Sequence, residues 1–357
     1  MSQGSLSDQG RAGDRPTLLV FNCHEAWVYQ LGVLGFQLDI IVGLKGRYTA
    51  AWDEQMRPKP PHSRFIRLDE AVRSPTEYHC IIGHNISDLL DVKFRPEPRL
   101  LVIHSTLEGR HQEERSKVPP DQLRQMLHTY VDLVGAHVTA VSELKGRSWG
   151  FTEDIVPFYA DPADYGPYSG HEASGLRVAN FIDSKKQILL WDLHDKAFSG
   201  LPLRIVGHNP GWPGVQAARN WDQLKGCLQT HRFFVHTADP RLEDGYNMAT
   251  LEAMAAGMPV LGNPHPTSPI ESNVSGFLSD DPGELRASAV RLLEDRDLAV
   301  AMGRAARQRI IDGFSKEIFR QRFLRSIETA RSKRAACLCR SRPEIAAAPG
   351  NDRLNRL

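Results

Sequence analysis

The stretch that decides the fold runs from Asp244 to Pro259 and reads DGYNMATLEAMAAGMP. Asp244 suits a helix N-cap, Gly257 suits a left-handed helix stop, and a proline follows shortly after that glycine. We therefore predict a helix of about three turns from Gly245 to Ala256. The apolar residues that follow Pro259 predict a strand, so this helix belongs to an α/β unit.

One carboxylate of the predicted helix falls on its apolar face. Met248, Leu251, Glu252 and Ala255 have the spacing i, i+3, i+4 and i+7, which places them on one side. A carboxylate buried there without a partner would cost several kcal/mol. Four partners for Glu252 remain open at this point: protein backbone, water, a ligand such as a ribose, which offers two vicinal hydroxyls, and a buried arginine.

The start of the same helix has the properties of an anion site. Its first N–H groups lack partners within the helix and lie at the positive end of the helix dipole, where diphosphates bind. Gly245 lets a ligand approach the backbone closely. The segment therefore fits a nucleotide-sugar, with the sugar near Asp244, the diphosphate at the helix start and the ribose against Glu252. Asp244 acting only as an N-cap is the alternative, and the two roles are compatible.

Outward from this stretch, apolar strand-like runs alternate with helical stretches. The runs that we interpret as strands are 17–23, 36–43, 78–83, 99–104 and 136–142 in the first half, and 176–182, 203–207, 232–237 and 258–262 in the second. Such alternation predicts parallel βαβ units. The fold class is therefore α/β, with two Rossmann-like domains whose parallel sheets face each other across a cleft.

The domain organisation follows from a segment rich in proline, aspartate and aromatic residues at 155–168, which reads as the interdomain crossing. Ligands of open parallel sheets bind beyond the carboxyl ends of the strands, so the site should face the cleft. The predicted divisions are a disordered leader (1–16), an acceptor domain (17–161), a nucleotide-sugar donor domain (162–314), a C-terminal helix returning to the first domain (315–330) and a disordered tail (331–357).

Composition restricts the class of protein. The 357 residues are 41% hydrophobic and 24% charged, with a net charge of +1, which gives no overall attraction to nucleic acid. The five cysteines form no CxxC pair, so we expect reduced thiols. Neither a secretory signal nor an apolar run of the roughly 18 to 20 residues that a membrane span needs is present, and we expect a cytoplasmic protein.

The pattern at 244–260 resembles the donor site of the retaining "group 1" glycosyltransferases with the GT-B fold. That family has an acid, then Gly-aromatic, a Glu eight positions after the acid, and Ala-Met-Ala-x-Gly-x-Pro-Val, matched here from Asp244 to Val260. The family's first acid is usually Glu, and this chain has Asp244 there, with Glu243 one residue out of register.

Other segments resemble the family in the same order. Residues 179–185 (ANFIDSK) are similar to the loop whose Arg and Lys hold the diphosphate, with Lys185 matching and Asn180 standing where Arg is usual. Lys186 is a substitute cation. A loop containing Thr267 replaces the usual Gly-Gly turn. The usual Gly-rich loop after the first strand is absent, and Cys23 to Trp27 stand in its place.

The resemblance implies transfer of a sugar, with retention, from a UDP- or GDP-sugar to a glycan, lipid-linked or small-molecule acceptor. It implies neither a metal nor a cofactor. The residues it implies are catalytic Asp244, Lys185 and His104; donor-binding Glu252, Gly245, Tyr246, Asn247, Asn180, Lys186 and Thr267; and acceptor-side His24 and Glu25.

Several alternatives stay open. A degenerate relative that binds a nucleotide or a partner without turnover is the main one, because Asn180 replaces a cation. Lys185 as a solvated loop residue and His104 as a structural histidine are others. The basic run 320–334 is either a solvated helix face or a peripheral contact with the cytoplasmic face of a membrane.

Overall fold

A computed structural model of the chain describes residues 15–44 and 51–340, with the side chains of 338–340 excepted. It contains two sheets of parallel strands flanked by helices. The strands are β1 (Thr17–Phe21), β2 (Gln37–Ile41), β3 (Ser63–Ile66), β4 (Cys80–Gly83), β5 (Arg99–Ile103), β6 (His137–Ala140), β7 (Glu172–Val178), β8 (Leu203–Val206), β9 (His231–Val235), β10 (Val260–Gly262) and β11 (Gly276–Leu278).

The helices alternate with these strands along the chain. They are α1 (Glu25–Gln30), α2 (Leu68–Arg73), α3 (Ile86–Asp91), α4 (Leu107–Glu113), α5 (Pro120–Val134), α6 (Glu143–Trp149), α7 (Ile182–Lys185), α8 (Trp191–Phe198), α9 (Trp221–Thr230), α10 (Met248–Ala256), α11 (Pro282–Glu294), α12 (Arg296–Gly313) and α13 (Lys316–Arg340), with short 3-10 turns at Leu31–Leu34 and Pro162–Asp164.

The first sheet has the strand order β3-β2-β1-β4-β5-β6, and every pairing in it is parallel. Strand β3 is missing from the sequence prediction because it is short and polar (SRFI). It joins the edge through pairing with β2, and the Arg64 guanidinium reaches the buried Asp39 at 2.7 Å. A tertiary ion pair therefore supports a strand that has no apolar periodicity of its own.

The second sheet has the order β11-β10-β9-β7-β8 and is also parallel. The order reverses between β7 and β9, which is where open α/β sheets form a ligand crevice at their carboxyl ends. The predicted fold class, two Rossmann-like α/β units, is confirmed by these two sheets. Predicted strand limits shift by a few residues; for example, 176–182 is observed as Glu172–Val178.

The helix of the deciding stretch begins later than predicted. It runs from Met248, with Asn247 as its N-cap, so the prediction of Asp244 as the N-cap is wrong. Asn247 Oδ1 accepts the Thr250 N–H at 2.9 Å and completes a capping box. The predicted stop is correct, because Gly257 adopts the left-handed conformation with φ 94°. Asp244 is instead drawn into an ion pair, which is described below.

The last helix, α13, packs on the first sheet and its flanking turn through Phe319, Phe323, Ile327 and Ala330, which are all buried. It continues to Arg340, so the predicted disordered tail does not begin at 331. Residues 341–357 of that tail and residues 1–14 of the predicted leader lie outside the described residues. Within the described part of the chain, no helix has both the length and the apolar character that crossing a bilayer requires.

Candidate functional site

The loop before α10 holds the first acid of the motif in a buried position. Asp244 is fully buried, and its Oδ1 accepts the Thr267 hydroxyl at 3.2 Å. The same hydroxyl accepts the Gly245 N–H at 2.9 Å, so Thr267 ties the loop to the segment after β10. His236, at the end of β9, supports the loop from below, with its Nε2 lying 3.2 Å from the Asp244 carbonyl oxygen.

A lysine from the first domain neutralises this acid. Lys145 lies in α6 and is 4% exposed, and its Nζ stands 3.1 Å from Asp244 Oδ2 and 2.7 Å from Glu243 Oε1. Burial alone would lower the pKa of Lys145, but the carboxylates of Glu243 and Asp244 outweigh it and raise the pKa above its usual value. Both acids of the out-of-register pair therefore share one buried cation across the domain boundary.

Glu252 also has a partner in the first domain. The Arg57 guanidinium forms a buried ion pair with the Glu252 carboxylate, and it lies over the Trp221 ring with 4.3 Å from Cζ to the ring centroid. Of the partners that the sequence leaves open, the structure contains the arginine. Burial raises the pKa of Glu252, and Arg57 offsets part of that rise. The backbone N–H of Trp221 also donates to the Gln55 carbonyl oxygen at 2.9 Å, so the segment around Arg57 packs against the start of α9.

The predicted diphosphate loop is also tied to the first domain by an ion pair. Lys185 Nζ lies 2.9 Å from Glu113 Oε1, which belongs to α4 of the first domain, and both side chains are about three-quarters buried. Beside it, Gln112 donates to Gln187 at 2.7 Å. Lys186 is half exposed and pairs with Asp183 on its own side.

Asn180, where the family has a cation, serves the loop itself. Its Oδ1 accepts the His208 N–H at 2.8 Å, which joins the loop after β7 to the loop after β8. The side chain therefore contributes a structural hydrogen bond but no positive charge to this part of the site.

Two predicted donor contacts have structural tasks. Tyr246 is 4% exposed and packs its ring against Phe158 and Phe314, with centroid separations of 6.5 and 5.4 Å. Asn247 is committed to the helix cap. Gly245 leaves room for His265 of this chain, because a Cβ at Gly245 would lie 2.6 Å from the Cβ of His265. The backbone of this loop, more than these two side chains, is what a ligand would meet.

The predicted catalytic His104 and the predicted acceptor-side His24 and Glu25 follow β5 and β1. His104 comes directly after β5, and its Nε2 lies 2.8 Å from Nδ1 of His84, which follows β4. Burial lowers the pKa of His104 well below its usual value, with His84 and Lys145 contributing. His24 is an exposed N-cap of α1, and Glu25 Oε1 accepts the Asp53 N–H at 3.4 Å.

Asp244, Glu252 and Lys185 are thus each paired with a residue of the first domain, whereas Lys186 pairs within its own domain. Arg57, Lys145, Glu113 and His236 were all missed by the sequence analysis. Lys145 carried a usable signal, since it lies just beyond the predicted strand 136–142, where ligands of parallel sheets bind. Arg57 stands in a proline-rich segment with no such signal, and its pairing spans 195 positions.

Part of the chain also matches a known protein family. Residues 185–324 match a family described as glycosyl transferase-like, and this range contains Lys185, Asp244 and Glu252. No curated protein sequence matches the chain significantly.

Solved structures match over both domains. HepE of Anabaena, solved with UDP and glucose, shares 12% identity and a TM-score of 0.66, over 88% of this chain and 100% of that one. Sucrose-phosphate synthase of Thermosynechococcus elongatus shares 14% identity and a TM-score of 0.61, over 91% of this chain and 100% of that one. TarM of S. aureus shares 15% identity and a TM-score of 0.56, covering 70% of this chain but only 54% of TarM.

The chain therefore has the GT-B fold of these glycosyltransferase structures, and its residues 185–324 match a glycosyl transferase-like family. The matched range includes Asp244–Val260, which confirms the resemblance of that stretch to the group 1 glycosyltransferases.

Proposed function

We propose that this protein transfers a sugar from a UDP- or GDP-sugar to a hydroxyl of a glycan, lipid-linked or small-molecule acceptor, with retention at the anomeric carbon. The observation that carries the proposal is that Asp244, Glu252 and Lys185, which match the family's donor-site positions, all reach across to side chains of the first domain. HepE, whose fold is similar, is solved with UDP and glucose, which supports a UDP-sugar as the first donor to test.

In the proposed reaction the bond between the anomeric carbon and the diphosphate oxygen breaks, and a bond to the acceptor oxygen forms. Lys185, Lys186 and the start of α10 would stabilise the negative charge that develops on the departing diphosphate without a metal ion. Glu252 would accept the ribose hydroxyls, and Asp244 would hold hydroxyls of the donor sugar. The acceptor's proton ends on the diphosphate or in solvent.

His104 is better suited to hydrogen bonding than to proton storage. Burial keeps its pKa well below the usual range, so the ring is neutral at physiological pH and has little affinity for a proton. We therefore assign it a contact with a sugar hydroxyl, with the proton accepted elsewhere. His24 and Glu25 remain proposed contacts to the acceptor.

The test is a screen of UDP-, GDP- and TDP-sugars with hydroxylated acceptors, read by release of the nucleoside diphosphate and by mass of the glycosylated product. Product formation that is lost in Lys185→Ala and retained in the exposed Lys196→Ala supports the proposal. Nucleotide binding without any turnover across the screen overturns the enzymatic part of it.

A second function, nucleotide binding without turnover, is favoured by Asn180, which contributes a structural hydrogen bond where the resembled family has a cation. Lys185, Asp244 and Glu252 are all neutralised by Glu113, Lys145 and Arg57, so a donor must displace these partners before it binds. A protein that uses these pairs only to hold its domains together would show no stabilisation by any nucleotide. A degenerate binder would show stabilisation but no product.

A further inference from the structure

Three metal-ligating side chains meet at the edge of the first sheet. Cys23 lies just after β1, His84 directly after β4 and His104 directly after β5, and these three strands are neighbours in the sheet. One ligand atom from each, the Cys23 sulfur and one ring nitrogen of each histidine, lies within 4.8 Å of the other two. The parallel sheet therefore brings together one thiol and two imidazoles.

The donor set selects a class of metal. Thiolate with imidazole suits Zn²⁺ and related late transition metals, whereas Mg²⁺ and Ca²⁺ require oxygen ligands. Zinc–nitrogen bonds of about 2.1 Å place two tetrahedral nitrogen ligands roughly 3.4 Å apart, and a nitrogen and a sulfur roughly 3.6 Å apart. The His84–His104 nitrogens stand at 2.8 Å, so binding would separate them by about half an ångström and draw the sulfur inward by about 1 Å.

The surroundings hold the two rings in place. The Trp27 ring packs edge-on against His84 at 4.8 Å and against His104 at 5.0 Å between centroids. Asp88 accepts the His84 backbone N–H at 2.8 Å.

We propose that Cys23, His84 and His104 bind a zinc-type divalent cation through one sulfur and two nitrogens, with a fourth position open towards the cleft. Binding releases the thiol proton to solvent, because a coordinated thiol is deprotonated. The proton that lies between His84 Nδ1 and His104 Nε2 moves to the second nitrogen of one of the two rings, the nitrogen that does not bind the metal. Three protein ligands with one open position is the arrangement of an accessible zinc site and differs from the closed, four-ligand structural kind.

One consequence rests on the proposed function. His104 is a proposed contact of a sugar hydroxyl, and a ring nitrogen bound to zinc is lost to that contact. Zinc therefore acts as an inhibitor of transfer, because it occupies the ring nitrogen that the sugar hydroxyl would contact.

The experiment is a Co²⁺ titration of the full chain after treatment with chelator, with zinc competition as the second readout. We expect one equivalent of Co²⁺ to produce a thiolate-to-cobalt charge-transfer band and tetrahedral d–d bands, which zinc abolishes. Cys23→Ser should remove the charge-transfer band. It should weaken zinc binding by more than the roughly 10–100-fold typical of losing a residue that only hydrogen-bonds to a metal ligand. Cys227→Ser, at another buried thiol, should behave as wild type.

His84→Gln leaves the thiol in place, so it decides the matter even if Cys23→Ser fails to fold. It should weaken zinc binding and alter the d–d bands. Absence of any cobalt band in the wild type, or an unchanged spectrum in both variants, overturns the site. If no transfer activity is found, the spectra still decide the metal site, and if activity is found, zinc should inhibit the wild type but not Cys23→Ser.

Discussion

Arg57 and Glu252, 195 positions apart, form a buried ion pair that joins the two domains, with side chains 6% and 10% exposed. Removing one partner of a buried pair leaves the other as an uncompensated charge. Arg57→Gln should therefore lower the free energy of unfolding by about 3–5 kcal/mol in urea denaturation. Because Glu252 then has no protein partner, added nucleoside diphosphate should stabilise the variant more than the wild type.

The control for this prediction is Arg331→Gln, which breaks an exposed pair with Glu328 and should change stability by no more than about 0.5 kcal/mol. A loss in Arg57→Gln as small as that of the control would mean that the buried pair contributes little to the apo protein.

The Lys145 pair with Glu243 and Asp244 gives a second prediction. Lys145→Met leaves Asp244 buried beside one cation fewer, so the free energy of unfolding should fall by about 3–5 kcal/mol, whereas exposed Lys196→Met should be near neutral. The pKa of Lys145 is raised in the folded protein. Its contribution to the free energy of unfolding is therefore complete below the unfolded pKa of about 10.4, and it is lost only as pH rises through the folded pKa. The difference between the two proteins should therefore stay constant from about pH 6 to 9, and a deficit that disappears in this range would contradict the assignment.

Gly245 supplies the third prediction. A Cβ at this position would lie 2.6 Å from His265 Cβ, and that ring is held by the Glu243 carbonyl oxygen, 2.9 Å from its Nε2. Gly245→Ala should shift the loop that faces the donor and reduce the transfer rate by about 100-fold, the effect of a misplacement of roughly 1 Å. Gly226→Ala, in α9, meets open space and should retain full activity. Equal activity of the two variants would show that the loop does not contact the donor.

His236 predicts a pH dependence of stability. Burial, followed by Arg177, lowers its pKa to about 4 in the folded state, against about 6.5 when unfolded. The unfolded chain therefore binds the proton more readily, and stability falls as pH decreases from 6.5 towards 4. Between pH 7.5 and 5, wild type should lose about 2 kcal/mol more than His236→Gln in urea unfolding. Exposed His171→Gln should follow the wild type, and parallel pH curves for His236→Gln and wild type would contradict the shift.

The strands and helix ends could be predicted from neighbouring residues, whereas the ion-pair partners, which are distant in the sequence, could not. The alternation of strands and the Gly257 stop depend on neighbouring residues, so they were predicted correctly. The start of α10 was misplaced because Asp244 and Asn247 are both good caps, and only the pull of Lys145 on Asp244 separates them. The need of Glu252 for a partner was predicted from its helix face, but Arg57 was not, because nothing local links the two.

The most direct measurement of the central claim, a nucleotide-sugar site at α10, is the thermal shift produced by UDP, GDP, TDP and their sugars. At least one of them should stabilise the wild type. The shift should disappear in Glu252→Gln and in the double variant Arg57→Gln/Glu252→Gln. The double variant removes both charges of the buried pair, so neither is left unpaired. Exposed Glu294→Gln should keep the full shift. An unchanged shift in the double variant, or no shift with any nucleotide in the wild type, would contradict the account.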